Sequence, residues 1–367
     1  MIWIDQQQTF DRAMQQVAAE PVVAVDTEAD SLHSYFDKVC LIQMSIAGED
    51  LVIDPLRKVD LKRFGEVLAD RGIVKVLHGA DYDLRILHRD FGFTIANLVD
   101  TMICAQMLGY EAFGLAALLE RHFGFKVDKS HQRADWAMRP LPPDMLEYAT
   151  TDTRHLIELA AKLRAELEAL GRWEWAQEEF ARLEAIRFTE KDGDEEPFRR
   201  LKGLSSLDPR ALAVVRALYD WRDGLARKAD RPPFKIIGND VILELARVKP
   251  LTVAELNNVK PLSGFHRNRY GKDLVRLVAE AMAIPEESLP ERVAAKPWLR
   301  DRDIDTKVNR LKAVRDRVAK ELKIDGSVVA PRHVLVSVAE TGSLDIPAMR
   351  EWQKKLFGEE LLAALAK

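Results

Sequence analysis

The chain is predicted to open with a mixed α/β sheet flanked by helices and to continue into two small all-helical units. Three observations lead there. Apolar, strand-like runs punctuated by turn signals lie between Pro21 and Pro55, strand and helix periodicities alternate after them, and two segments of the second half align with each other at a fixed spacing. At 367 residues the chain is also long enough for two or three domains, each with its own core.

The elements follow in order. "PVVAVDTE" and "KVCLIQMSI" read as strands, and "AGED" is a turn leading into the strand "LVIDP". Three antiparallel strands are therefore expected first. Helical periodicity follows in "LKRFGEVLADRG", a short strand in "IVKVLHGA", and a helix opens at "DYDLRILHRDFG" with glycine near its end. "VDTMICAQMLG" and "LAALLERHFG" read as helices, and after a loop rich in proline and charge one long helical region is expected from about Asp144 to Phe188. "TEKDGDEEPFRR" (Thr189 to Arg200) is polar and broken by Gly193 and Pro197, which makes it a linker.

Beyond the linker, Trp221 to Ala246 aligns with Val314 to Ala339 without a gap, matching Arg222 with Arg315, Asp223 with Asp316 and Val241 with Val334 at an offset of 93 residues. Gly271 and Gly358 differ by 87, so the second copy is six residues shorter near its end. Two copies at so long a period mean duplicated domains rather than a solenoid. The expected boundaries are 1–190, 200–285 and 298–367, the two helical units being joined across "IPEESLPERVAAKPW".

Composition narrows the function. Hydrophobic residues make up 47% and charged residues 31%, no apolar run reaches membrane-spanning length, and "MIWIDQQQTF" lacks the basic region of an export signal. A cytoplasmic protein with no membrane contact is expected. Cys40 and Cys104 sit in apolar runs, which points to buried thiols, and eight histidines without an H-x-x-x-H leave no structural zinc site. The net charge of −4 is uneven: residues 1–200 carry −12, residues 201–280 carry +6 and residues 301–367 carry +2. Such a split fits an acidic, cation-holding enzyme with accessory units for a polyanion, of which the first is the more basic.

The chemistry begins at "VVAVDTEADSL". A strand places Asp26, Glu28 and Asp30 on one face while Val23 and Val25 point into a core. Carboxylates so close repel unless a positive charge lies between them. "VLHGADYDLRIL" then brings Asp81 and Asp83 to the carboxyl edge of a strand, where Asp81 is expected as a helix N-cap and Asp83 in the first helical turn. "DMLEYATTDTRHLIEL" puts Tyr148 and Asp152 one turn apart on one helix face.

A strand with D-x-E, a strand-to-helix junction with one acid, and a late helix with Y-x-x-x-D together resemble the DEDD exonuclease superfamily, in its tyrosine subclass. The D-W-x-x-R-P-L of "ADWAMRPLPPDMLEYATTD", ahead of Y-A-x-x-D, narrows the resemblance to the ribonuclease D family. The duplicated helical unit is similar to the HRDC domain, and a pair of these is the arrangement that family implies. The resemblance covers nearly the whole chain and implies a ribonuclease H-like exonuclease domain followed by two HRDC-type domains.

It further implies that Asp26, Glu28, Asp83, Tyr148 and Asp152 are the catalytic residues. The four acids would be ligands of two divalent metal ions, Mg²⁺ or Mn²⁺, which suit hard oxygen donors. Asp83 is favoured over Asp81 because it lies five residues beyond His78. Asp26 is expected to bridge the two ions and Tyr148 to orient the attacking water, since a phenol with an ordinary pKa near 10 is a poor base. Ala29 departs from the bulkier residue common after the D-x-E, which leaves open how a terminal base is wedged. Asp30, Asp100 and Asp135 receive no metal-binding role.

Lys129, Arg133 and Arg139 flank Trp136 in an arrangement suited either to phosphate contact and base stacking or to a packed loop, and His266, Arg267 and Arg269 of "SGFHRNRYGK" form a second such set. The resemblance implies 3′-to-5′ exoribonuclease action that trims 3′ ends of precursor tRNA and other small structured RNAs to 5′-mononucleotides, with no obligate protein partner. A DNA exonuclease of the proofreading or repair type, and a non-catalytic nucleic-acid-binding scaffold, stay open from the residues alone.

Overall fold

In the computed structural model the described residues are 1–127, 130–189, 196–292 and 302–366. They fall into two compact units. One comprises Met1–Ala29, Lys38–Phe188 and the described part of Arg300–Lys367, and the other comprises Asp30–Asp37 and the described part of Thr189–Leu299.

The first unit begins with β1 (Ile2–Ile4), α1 (Gln7–Val17), β2 (Val22–Ala29), β3 (Val39–Ile46), β4 (Glu49–Ile53), α2 (Lys62–Ala69), β5 (Val74–Leu77), α3 (Asp81–Phe91), β6 (Leu98–Asp100), α4 (Thr101–Leu108), α5 (Leu115–Phe123), α6 (Pro143–Arg154), α7 (Leu156–Ala169) and α8 (Trp173–Glu184). Its sheet runs β1-β4-β3-β2-β5-β6. β2, β3 and β4 are antiparallel as expected, while β1 adds parallel to β4, and β5 and β6 add parallel on the far side of β2. The sheet is therefore mixed. Alternation along β2 builds two cores: Val23 and Val25 join Phe10, Phe64 and Leu84 under α1 to α3, whereas Ala24 joins Cys104, Leu159 and Phe180 under α4, α7 and α8.

The sequence expectations lacked two elements: β1 and β6 are strands of three residues that periodicity does not reveal. The helical region expected from Asp144 to Phe188 comprises three helices, interrupted at His155 and again around Gly171, whose φ of +66° is left-handed. At the second break Arg172 turns inward and donates to the carbonyls of Met107 and Leu322, both at 2.9 Å.

The second unit contains α9 (Pro209–Ala229), α10 (Pro233–Ile236), α11 (Asn239–Val248) and α12 (Gly264–Met282) around a core of their own. Residues 30–37 belong to it: Tyr35 donates its hydroxyl to Asp223 at 2.8 Å, and the Asp230 carboxylate accepts the backbone N–H groups of Tyr35 and Phe36, each at 3.0 Å.

The remaining helices, α13 (Arg302–Leu322), α14 (Gly326–Val329), α15 (Arg332–Thr341) and α16 (Glu351–Leu365), lie in the first unit. The bounds of α13, α14 and α15 are those of α9, α10 and α11 advanced by 93, and α16 starts 87 residues after α12. Equivalent arginines make equivalent bonds. Arg222 donates to the Ile237 carbonyl at 3.1 Å, and Arg315 to that of Ala330 at 3.2 Å.

The second copy is welded to the nuclease helices. Trp352 of α16 stacks on Trp175 of α8, with ring centroids 4.8 Å apart and planes 15° from parallel. Arg350 forks onto Glu179 at 2.6 and 2.9 Å. Glu178 accepts the N–H groups of Glu351 and Trp352 at 2.8 and 3.1 Å, satisfying donors that the first turn of α16 leaves unpaired. The approach is close enough that Gly109, left-handed at φ +81°, has no room for a Cβ against the Lys323 carbonyl. Among the described residues no helix is long and apolar enough to cross a membrane, and both cysteines are buried free thiols.

Candidate active site

β2 carries Asp26 and Glu28 on the face that α6 covers, and α6 faces them with Asp152. Oxygens of the three carboxylates all lie within 4.8 Å of one another. Asp83, in the first turn of α3, stands outside that trio, held by a hydrogen bond from the Thr27 hydroxyl on the opposite face of β2. Its charge still acts on both Asp26 and Glu28.

Burial is the largest cause of the electrostatic tension, and mutual repulsion adds to it. Asp26 is pushed well above the carboxylate range by burial and then by Asp83, Asp152 and Glu28. Burial with repulsion from Asp152 and Asp83 raises Glu28 to about 9. Burial raises Asp152 to about 7. Asp83 rises to about 6 by burial, with the Thr27 hydrogen bond opposing.

Gln43 adds a second sign of a cation site. It is the cross-strand partner of Asp26 and fully buried. Its neighbours on the same face meet α6 on either side: Leu41 packs in the cluster containing Ala149, and the Ser45 hydroxyl lies 2.7 Å from that of Thr153. Neither atom of its amide has a hydrogen-bond partner. A buried amide with nothing to bond, beside three converging carboxylates, fits a hydrated, hard divalent cation better than a dry core.

Tyr148 sits one turn before Asp152, with the His131 ring edge-on at 5.7 Å and Trp136 at 6.0 Å. His131 lies 3.2 Å from Asp144 at the start of the same helix. Along the outer side of Tyr148 runs a cavity of about 770 Å³, lined also by Phe125, Lys126, Thr151, Arg154 and His155.

Two expected RNA contacts are corrected. Trp136 is 1% exposed, packed among Cys40, Leu41, Val52 and Met145, so its face cannot receive a base. Arg139 grips the buried Asp54 at 2.7 and 2.8 Å and donates to the carbonyls of Cys40, Trp136 and Met138. That leaves its guanidinium no donor for phosphate. Together the pair locks the loop that walls Tyr148. Arg133 is exposed, whereas Lys129 lies outside the described residues. In the other unit, His266 stacks on Tyr270 with centroids 6.2 Å apart, Arg267 donates to Asn257, and Arg269 is exposed on α12.

The remaining acids are structural. Asp81 does not cap α3 but pairs with Arg85 at 2.9 Å. Asp100 caps α4 and also accepts the N–H groups of Gly79 and Ala80. Asp30 does not extend the row of Asp26 and Glu28, because β2 is bulged at Glu28/Ala29 and ends there; its carboxylate takes the Ser34 hydroxyl at 2.6 Å. Asp135 accepts from the Ala137 N–H. Sequence reasoning missed Thr27, Gln43 and Asp54. A polar residue inside the apolar run "VCLIQMSI" was the available signal for Gln43.

Known proteins resemble this chain along most of its length. A family model described as 3′-5′ exonuclease matches residues 1–168, and one described as HRDC domain matches residues 211–278. The curated ribonuclease D of Nitrobacter hamburgensis is 32% identical over 350 residues, 95% of this chain and 90% of that protein. The crystal structure of Escherichia coli RNase D, described as an exoribonuclease involved in structured RNA processing, aligns with a TM-score of 0.71 at 28% identity, covering 100% of this chain and 98% of that one. A protein from Bifidobacterium adolescentis aligns with a TM-score of 0.83 at 27% identity, covering 100% and 97%. With a mixed α/β exonuclease domain, a helical HRDC domain and relatives matched along almost its full length, the chain belongs to the ribonuclease D family of 3′-5′ exoribonucleases.

Proposed function

We propose that this exoribonuclease removes 5′-mononucleotides from the 3′ ends of precursor tRNA and other small structured RNAs, in the cytoplasm, at the site formed by Asp26, Glu28, Asp83, Tyr148 and Asp152. The convergence of Asp26, Glu28 and Asp152 carries the reading. These acids, with Asp83, would hold two divalent cations, Mg²⁺ or Mn²⁺. Such ions, when bound, lower the pKa of water and offset charge on the entering and leaving oxygens of a phosphodiester.

The chain's own contributions are positional. The Tyr148 hydroxyl orients the attacking water, as in the tyrosine subclass, and its ring is kept in place by Trp136 and His131. The cavity beside it has room for the nucleotide chain approaching the acids, and Lys126 lines it. The RNA preference rests on the named relatives.

We propose also that α13–α16 is a second HRDC-type domain. Support comes from helix bounds repeated at 93 residues and from the matched bonds of Arg222 and Arg315. The first copy, with its charge of +6, is the better candidate for holding RNA, and the second chiefly buttresses the nuclease helices.

The test is direct. Purified protein is incubated with 3′-overhang tRNA precursors and with matched RNA and DNA oligonucleotides, with and without Mg²⁺ or Mn²⁺. Metal-dependent shortening from the 3′ end, faster on RNA, is expected; preference for DNA or absence of shortening refutes the assignment.

A further inference from the structure

The two copies of the helical unit share a register at their last helix: α12 starts at Gly264 after Ser263, and α16 starts at Glu351 after Arg350. Phe265 therefore occupies the position of Trp352, Arg269 that of Leu356 and Lys272 that of Glu359, all at an offset of 87. Residues 265, 269 and 272 are spaced i, i+4 and i+7, one stripe of a helix.

In the second copy the first two positions of this stripe are covered and Glu359 is exposed. Trp352 is 4% exposed, its ring lies against the flat face of Trp175, and Leu356 packs with it. In the first copy the same stripe is open. Phe265 is 65% exposed, the most exposed large apolar side chain among the described residues, and Arg269 and Lys272 are exposed below it. A single exposed phenylalanine is unremarkable in itself. Here the apolar leucine of the covered copy is replaced by arginine and its glutamate by lysine, in the unit that carries the +6 charge. The surface keeps a planar aromatic where its twin receives an aromatic ring, and sets Arg269 beside it where its twin packs Leu356 against protein. The partner it fits has planar rings and negative charge.

We propose that Phe265, Arg269 and Lys272 form a stripe for single-stranded RNA, with a nucleobase stacked on Phe265 and adjacent phosphates on the two cations. This rests on the exoribonuclease reading and adds to it an RNA site on the second unit. His266, whose ring stands edge-on to Phe265 at 5.4 Å and stacks on Tyr270, fixes the phenyl from the inner side.

The experiment is fluorescence anisotropy of the full-length chain with a labelled single-stranded RNA in EDTA, so that nothing is cleaved. A second oligonucleotide series replaces one base at a time with an abasic site. Phe265→Ala should weaken affinity about tenfold and reduce discrimination against one abasic position, and Phe265→Trp should restore both. Arg269→Ala and Lys272→Ala should each lower the slope of log affinity against log salt by about one. Thermal melts verify that the variants fold. If wild type binds and Phe265→Ala binds within twofold of it, the stripe is refuted while the nuclease assignment stands. If wild type binds no RNA and shortens none when Mg²⁺ is added, both fall.

Discussion

The first turn of α16 carries Trp352, 4% exposed and stacked on Trp175, whereas the first turn of α12 carries Phe265, 65% exposed, at the same place in the repeat. The helices around them keep matching bounds. The difference therefore lies in the surface and not in the scaffold. Two helical frames of matching bounds differ on one stripe: Trp352 and Leu356 pack on the nuclease helices in one, and Phe265, Arg269 and Lys272 are exposed in the other. A fold alone does not say which copy does what; the side chains on that stripe do.

The largest effect that sharpens this contrast lies in neither copy. Asp152→Asn should reduce cleavage by more than about 10³-fold while RNA affinity in EDTA stays within threefold of wild type, separating the chemistry from the grip. An Asp152→Asn protein with near-normal turnover removes that residue from the site.

Next comes a paired stability measurement. Trp352→Ala deletes a buried ring and should cost about 3–5 kcal/mol in urea unfolding, but Phe265→Ala should stay within about 0.5 kcal/mol. Equal losses at the two positions would break the contrast outright.

A third experiment concerns the loop that neither copy supplies. Arg139→Lys keeps the charge but loses the two-pronged hold on Asp54 and three carbonyl contacts. Turnover on a short oligonucleotide should drop by about tenfold or more, through misplaced Tyr148, with a smaller change in KM. A change confined to KM would instead make Arg139 a substrate contact.

The smallest effect is a pH dependence confined to the acids. Glu28 releases its proton near 9 in the folded chain but near its ordinary 4.5 when unfolded. Between those values the folded state binds more protons than the unfolded one, so stability falls as pH rises through that window and is unaffected below it. Metal-free protein should melt several degrees lower at pH 8 than at pH 6. Added Mg²⁺ should recover the loss at pH 8. Asp26→Asn should flatten the profile, and a melting temperature that rises with pH in wild type would contradict the burial of this cluster.

Much of this was readable from sequence because its signals are local. Alternation in "VVAVDTE" gave β2 and the side on which Asp26 and Glu28 lie, and the four-residue spacing of Tyr148 and Asp152 gave their shared face. Offsets between repeats fixed helix boundaries that periodicity alone leaves loose. What stayed hidden depends on distant partners. A cationic loop containing tryptophan reads as an RNA contact until Asp54, 85 residues from Arg139, is seen to hold it. Strands β1 and β6 are too short to show a period and exist because β4 and β5 offer them an edge. Asp30 follows the strand rule in sequence, but a bulge removes it from the row.

The near-parallel indoles of Trp175 and Trp352, 4.8 Å apart, also give the molecule an optical signature of its own. Rings so placed share their electronic excitation, and the coupling vanishes once they separate. The indole band in far-ultraviolet circular dichroism can thus follow, without any label, whether the C-terminal helices remain seated as the enzyme is heated, titrated or loaded with substrate.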